Sequence, residues 1–257
     1  MYAVPEQVAP GIHRVADGLV NWYIVVDDGQ VTLIDTGWPR SWPTVQAALE
    51  QLGRSPGDVA AIVLTHGHAD HLGAAESART AGSAPVYAHR DEVARVTGKK
   101  RGGSSLALVP RFVPHLWRPT AFGFVLHATV RGFLMPTWVQ EVTAVEDGEQ
   151  LDVPGRPRAV FTPGHTEGHT SFLLPDLGVL VCGDALALRD PVTGAAGPKI
   201  FTDALNSSPA RARDSLAAIA QTGAETLLAG HGEPWQGEPW QGAAAAAAVA
   251  RARELDS

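Results

Sequence analysis

Thr65-His66-Gly67-His68-Ala69-Asp70-His71 places three imidazoles and a carboxylate on one short loop. Such side chains waste burial unless something binds them, so this density implies a cation rather than packing. Imidazole nitrogen and carboxylate oxygen are donors that suit zinc, and iron accepts the same set. The loop follows Val59-Ala60-Ala61-Ile62-Val63-Leu64, a short, apolar, β-branched run that reads as a buried strand. At the end of a strand, residues two apart face the same side, so His66 and His68 can grip one ion together. Asp70 and His71 fall where the chain turns into a helix expected over Leu72 to Ala81. From there they can point past the first ion to a second.

Three later motifs complete the set: Thr162-Pro163-Gly164-His165-Thr166, Cys182-Gly183-Asp184 and Gly230-His231-Gly232. The reading gives His66, His68 and His165 to one divalent metal and Asp70, His71 and His231 to another, with the Asp184 carboxylate as bridge. Two such ions about 3.5–4 Å apart acidify a water held between them toward neutral pH and polarise a carbonyl for attack. Asp70 is the candidate catalytic group, placed to orient that water and carry its proton to the leaving group. His169 is read as orienting its neighbours. His13, His89, His115 and His127 are read as ordinary surface or core residues.

Strands broken by helices organise the rest. Asn21–Val26 and Gln30–Ile34 form a hairpin around Asp27-Asp28-Gly29. A helix follows over Pro43–Leu52, with Ser41 as its cap. Further strands are expected at Ala159–Phe161, Ser171–Leu174, Val179–Cys182 and Thr226–Ala229, and helices over Ser208–Ala220 and Gly242–Leu255. This order fits an α/β layered fold. The tandem Gly232-Glu233-Pro234-Trp235-Gln236 and Gly237-Glu238-Pro239-Trp240-Gln241 reads as a local duplication in a surface turn.

With these motifs in this order, the chain resembles the metallo-β-lactamase fold superfamily, specifically its dinuclear hydrolases, from about Val8 to Pro234. Leu33-Ile34-Asp35-Thr36-Gly37 is similar to the family's early strand-end motif, whose aspartate supports the metal loop. The resemblance implies a single domain over 1–257, an αββα sandwich with the metals in a cleft at one edge of the paired sheets. It also implies two divalent ions per chain, zinc first, with iron or a zinc–iron pair as the other occupants.

Residues 98–141 form an insertion between the first motif and His165. It starts with Lys99-Lys100-Arg101-Gly102-Gly103, read as a solvated loop, and carries Phe112, Trp117, Phe122, Phe124, Phe133, Met135 and Trp138. Prolines at 110, 114, 119 and 136 forbid one long helix. Insertions here commonly wall the active site in the family. An aromatic lid and an aromatic homodimer or core contact remain equal readings, because both bury the same side chains.

The formal charge of −7 and the absence of a basic run speak against nucleic acid as a partner. No apolar stretch is long enough to span a membrane, and Met1–Gln7 has neither a basic start nor an apolar core, so neither a membrane partner nor a signal peptide is expected. The one cysteine, Cys182, reads as a small core residue, and a cytoplasmic location is expected.

By resemblance, true β-lactamases are disfavoured, because they carry Cys or Ser where Asp184 stands. Glyoxalase-II-like enzymes need a helical domain after His231 and a glycine-cysteine-glycine-arginine stretch that is missing here. Acyl-homoserine lactonases supply a tyrosine after the bridging aspartate, and this chain has none beyond Tyr87. RNA-processing relatives have a basic docking arm, also missing. The expectation is a hydrolase of a small-molecule ester, lactone or thioester. The alternatives are a mononuclear iron persulfide dioxygenase of the same fold and a non-catalytic metal-binding protein.

Overall fold

The computed structural model describes residues 3–100, 109–236 and 244–256. In chain order they form β1 (Glu6–Ala9), β2 (Ile12–Asp17), β3 (Val20–Asp27), β4 (Gln30–Ile34), α1 (Trp42–Gln51), β5 (Val59–Val63), α2 (Ala69–Leu72), α3 (Ala75–Gly82), β6 (Val86–His89) and α4 (Arg90–Val96). There follow α5 (Val109–Phe112), α6 (Pro119–Val130), β7 (Thr143–Val145), β8 (Arg158–Phe161), β9 (Thr170–Leu174), β10 (Val179–Gly183), β11 (Ala187–Arg189), β12 (Ala196–Lys199), α7 (Pro209–Gln221), β13 (Thr226–Ala229) and α8 (Ala244–Asp256).

Strand alternation builds the layers. In β3, Trp22 and Ile24 face α1 and α3, while Tyr23 and Val25, alternating with them, face a second sheet. In β10, Leu180 and Cys182 face α7 and α8, while Val179 and Val181 meet the residues of the first sheet. Each strand is buried on both faces, so two sheets pack together and each carries helices outside, an αββα sandwich. The first sheet has seven strands in the order β1 to β7, antiparallel through β4 and parallel thereafter. The second has the order β13-β10-β9-β8, with β10 and β13 parallel. The turns after β4, β5, β8, β10 and β13 carry Asp35, the first metal motif, His165, Asp184 and His231 respectively.

Three local expectations need correction. The helix expected over Leu72–Ala81 is two helices, α2 starting at Ala69 and α3 ending at Gly82, broken at Gly73-Ala74. Gly73 N–H donates to Gly37 O at 2.9 Å, and a Cβ there would lie 2.1 Å from the Trp38 carbonyl carbon. Helix propensity alone says Gly73→Ala should stabilise by about 1 kcal/mol. The contact with backbone says the opposite, a loss of about 2–3 kcal/mol in urea unfolding. A stabilised variant would remove the close approach as the reason for the break.

Ser41 precedes α1 but does not cap it, because its backbone is already helical. Its hydroxyl instead accepts from Trp38 N–H at 3.1 Å and donates to Asp17 at 2.8 Å. The first copy of the tandem repeat is not simply a surface turn. Trp235 exchanges both backbone hydrogen bonds with Leu227 at 2.7 and 2.9 Å and packs its half-buried ring on the second sheet's outer core. The second copy, Gly237–Gln241, lies outside the described residues, as do Met1, Arg101-Gly102-Gly103 and Gly242. Of the basic stretch, Lys99 is exposed, and Lys100 is ion-paired with Glu167.

The insertion divides its aromatics. Phe112, Phe124 and Phe133 line a cavity, Trp117, Phe122 and Met135 face outward, and Trp138 packs on the first sheet's helical layer. No described helix is long and apolar enough to cross a membrane.

Candidate metal centre

The structure brings all seven sequence-named residues together at one sandwich edge. His66, His68 and His165 offer ligand atoms within 4.8 Å of one another, as do Asp70, His71 and His231, and His66, His71 and Asp184, each histidine through a ring nitrogen and each aspartate through a carboxylate oxygen. Asp184 sits among both sets. Its Oδ2 is 3.3 Å from His165 Nε2, 3.5 Å from His231 Nε2 and 3.8 Å from His66 Nε2, and its Oδ1 is 3.5 Å from His71 Nε2. Asp70 Oδ2 lies 3.9 Å from both His71 and His231.

Hydrogen bonds on the far side of four of the five rings orient them. Asn206 donates its amide to Phe201 O at 2.9 Å, so its Oδ1 accepts from His165 Nδ1–H at 3.3 Å. His71 Nδ1–H donates to Asp35 at 2.8 Å, and His231 Nδ1–H to Leu19 O at 2.6 Å. Thr65 gives its hydroxyl proton to Asp35 at 2.7 Å, which leaves Oγ1 to accept from His66 Nδ1–H at 3.1 Å. Four Nε2 atoms therefore face inward. His68 Nδ1 meets two of them, at 3.1 Å from His66 and 2.9 Å from His165.

That donor set fits cations. Burial pushes His66 and His68 well below the ordinary imidazole range and His165 down to about 4, so all three rings are neutral and offer lone pairs to a cation. His71 Nε2 and Asp184 Oδ1 are buried without a hydrogen-bond partner. Gly230 opens the space for them, since a Cβ there would fall 2.2 Å from Asp184 Oδ1 and 2.5 Å from His71 Cε1. Burial opposes charge on Asp184, yet His231 and His71 hold its pKa well below the usual carboxylate range. Burial also opposes charge on His71, but Asp184, Asp70 and Asp35 together raise it well above the ordinary value. A cation at His71 Nε2 competes with that proton.

His169 is excluded from the inward set by its own bonds. Its Nε2 accepts from Asp184 N–H at 3.0 Å and its Nδ1 faces Thr162 Oγ1 at 3.0 Å, so it positions the aspartate's backbone. Asp35 supports the metal loop by accepting from Thr65 N–H at 2.8 Å as well as from Thr65 Oγ1 and His71. It does so in the left-handed backbone region, at φ 59°. Among the other histidines, His89 stacks on Phe161 and His127 lies 3.2 Å from Asp17.

Glu92, Asn206 and the Leu19 carbonyl were not foreseen. Glu92 is fully buried in α4 and accepts from Gly67 N–H and Gly168 N–H, both at 2.9 Å. Its carboxylate thus ties the loop of His66 and His68 to the loop of His165. Asp70 lies on the floor of a cavity of about 240 Å³ with His68, His165, Asp184 and His231. Phe112, Leu116, Phe124, Phe133, Phe201 and Leu205 are among the walls. No lysine or arginine lines it among the described residues.

Comparison with known proteins agrees with this geometry. The "Probable metallo-hydrolase YflN" of Bacillus subtilis is 30% identical over 89% of this chain and 86% of its own length. A hydroxyacylglutathione hydrolase of Xylella fastidiosa is 27% identical over 64% of this chain, which spans only 44% of that enzyme. A metallo-beta-lactamase family protein from Thermus thermophilus superposes with a TM-score of 0.68 at 28% identity, covering 95% of this chain and 79% of the other. The family model described as "Metallo-beta-lactamase superfamily" matches residues 15–231. On this match, and with a buried His/Asp cluster of metal-binding type at the expected edge of the sandwich, the chain belongs to the metallo-beta-lactamase superfamily.

Proposed function

We propose that this protein hydrolyses an ester, lactone or thioester of an apolar small molecule, with two divalent cations held by His66, His68 and His165, by Asp70, His71 and His231, and by Asp184 between them. Zinc is the first candidate for both, with iron or a zinc–iron pair next. The observation that carries the reading is the inward-facing set of imidazole nitrogens and carboxylates at one end of an apolar cavity. When bound, such a pair supplies a nucleophilic water at neutral pH and a Lewis acid for the scissile carbonyl.

The chain's own residues do the remainder. Asp184 stays ionised among the histidines and separates the two sets. Asp70 lines the cavity, and burial raises its pKa against the opposing pull of His71 and His231, which suits a carboxylate that takes and returns a proton. The aromatic walls exclude water and hold an acyl or ring substituent. With no lysine or arginine among the described lining residues, an anionic substrate arm finds no cationic side chain there.

Elemental analysis of protein purified without added metal tests the centre, and a panel of esters, lactones and thioesters tests the reaction. About two ions per chain with turnover of the longer acyl substrates is the expected result. One iron per chain with oxygen uptake would favour the dioxygenase, and a fully metallated protein inert across the panel would favour a non-catalytic role. Phe112→Ala should raise KM for a hexanoyl ester about tenfold while changing an acetyl ester little, because Phe112 stacks on Phe124, and it is Phe124 that meets the His231 ring. Equal losses on both esters would place Phe112 outside the acyl path.

A further inference from the structure

Between Lys99 and Gln140 the chain has six lysines and arginines and no aspartate or glutamate, in a protein of formal charge −7. The outward face of this segment is apolar. Trp117 is 75% exposed, Phe122 56%, Leu126 54%, Val130 61% and Met135 72%. Phe122, Leu126 and Val130 stand four residues apart and form one stripe along α6. An exposed apolar stripe, with Trp117 exposed just before the helix and Met135 exposed just after it, marks a contact surface.

Arginines at the two ends of the stripe and on α5 say what it contacts. Arg118 lies over the Trp117 ring at 4.7 Å, Arg111 donates to Ala204 O, and Arg40 donates to Val130 O at the end of α6. Among the described residues none of these three has a carboxylate at ion-pair distance, whereas Arg131 is committed to Asp17 and Lys100 to Glu167. A two-fold contact with a second copy would bring the same arginines face to face, with no acidic group in the segment to meet them. Arginines that no described carboxylate pairs, beside an exposed tryptophan and a phenylalanine–leucine–valine stripe, instead match a surface that is anionic outside and apolar beneath.

We propose that the outer face of α5 and α6 docks this protein on the surface of an anionic lipid bilayer. The lack of a spanning helix does not bear on such a contact, which needs only the apolar stripe to enter the headgroup–acyl boundary. The arginines reach lipid phosphates while Trp117, Phe122 and Leu126 enter the boundary. The inner face of the same helix carries Phe124 and Val125 into the cavity, so a docked protein receives an apolar substrate from the lipid side. The docking surface stands independently of which bond the site cleaves.

Vesicle co-sedimentation tests it, comparing phosphatidylcholine alone with phosphatidylcholine containing about 30% phosphatidylglycerol. The protein should sediment with the anionic vesicles and be released by salt. Arg111→Gln and Arg118→Gln should each lower the partition coefficient about fivefold. The double variant Trp117→Ser/Phe122→Ser should reduce sedimentation to background while retaining metal content and turnover of a soluble ester, since neither residue lines the cavity. Equal sedimentation with both vesicle types, or none at about 1 mM lipid, would overturn the proposal. So would light scattering that shows a dimer split by the Trp117/Phe122 changes, or binding to an acidic polypeptide as strong as binding to the vesicles. If the double variant fails to fold, the arginine variants and the salt dependence of the unaltered protein still decide the matter.

Discussion

Asp184→Asn is expected to cut turnover by more than about a hundredfold and to lower metal content in the same preparation. Substitution of groups that merely support metal ligands already costs about 10–100-fold in affinity or activity, and Asp184 faces the site directly. Asparagine keeps the shape and the backbone bond to His169, but it removes the negative charge that four histidine nitrogens surround at 3.3–3.8 Å. An amide also turns one end into a donor where Oδ1 now lies buried without a partner. Elemental analysis beside kcat separates the readings. Loss of one ion with loss of turnover supports a carboxylate between two sites, whereas loss of turnover with both ions retained would make Asp184 an activity determinant only. Full turnover with both ions would remove the bridging role altogether.

Why these groups were readable from sequence, and others were not, is a matter of range. His66, His68, Asp70 and His71 share one loop after an apolar strand, so strand period and residue type suffice to aim them. Asp184 and His231 stand in short glycine-containing turns that end β10 and β13. The hairpin of β3 and β4 was legible because Asp28 and Gly29 supply the positive φ that the turn needs. The break at Gly73 was not, because its cause is the Trp38-Pro39 turn packed against it from another segment. Ser41 had the right residue type and place for a cap, yet Asp17, 24 residues earlier, engages its hydroxyl. The insertion's aromatics could not be divided into cavity-facing and outward-facing sets, since α6 is apolar on nearly every side and has no strong periodic signal. Glu92 carried no local motif at all. In sequence it is one acid in a short charged helix, and only the fold brings Gly67 and Gly168 to it.

That position makes Glu92→Ala the most destabilising change expected in the scaffold of the site, at about 3–5 kcal/mol. Two N–H groups would be left buried and unpaired, each costing about 1–3 kcal/mol, in addition to the void left by the side chain. Arg95 would lose the carboxylate 3.1 Å from its Nε while keeping Glu167. Burial alone raises the pKa of Glu92, and Arg95 with the two glycine N–H groups opposes that rise, so the side chain is held by the contacts it organises. Stability loss by itself would fit any buried residue. The distinguishing consequence concerns the proposed pair of cations: Gly67 lies between His66 and His68, and Gly168 lies three residues after His165, so the looseness falls on one of the two ligand sets. Chelator competition on the folded variant should release the ion of the His66–His68–His165 set about tenfold more readily, with the other changed far less. Glu92→Gln, which retains one acceptor, should fall between the variant and the unaltered protein in both measurements. Equal weakening of the two ions, or unfolding free energy unchanged within about 0.5 kcal/mol, would show that the two loops hold their spacing without Glu92.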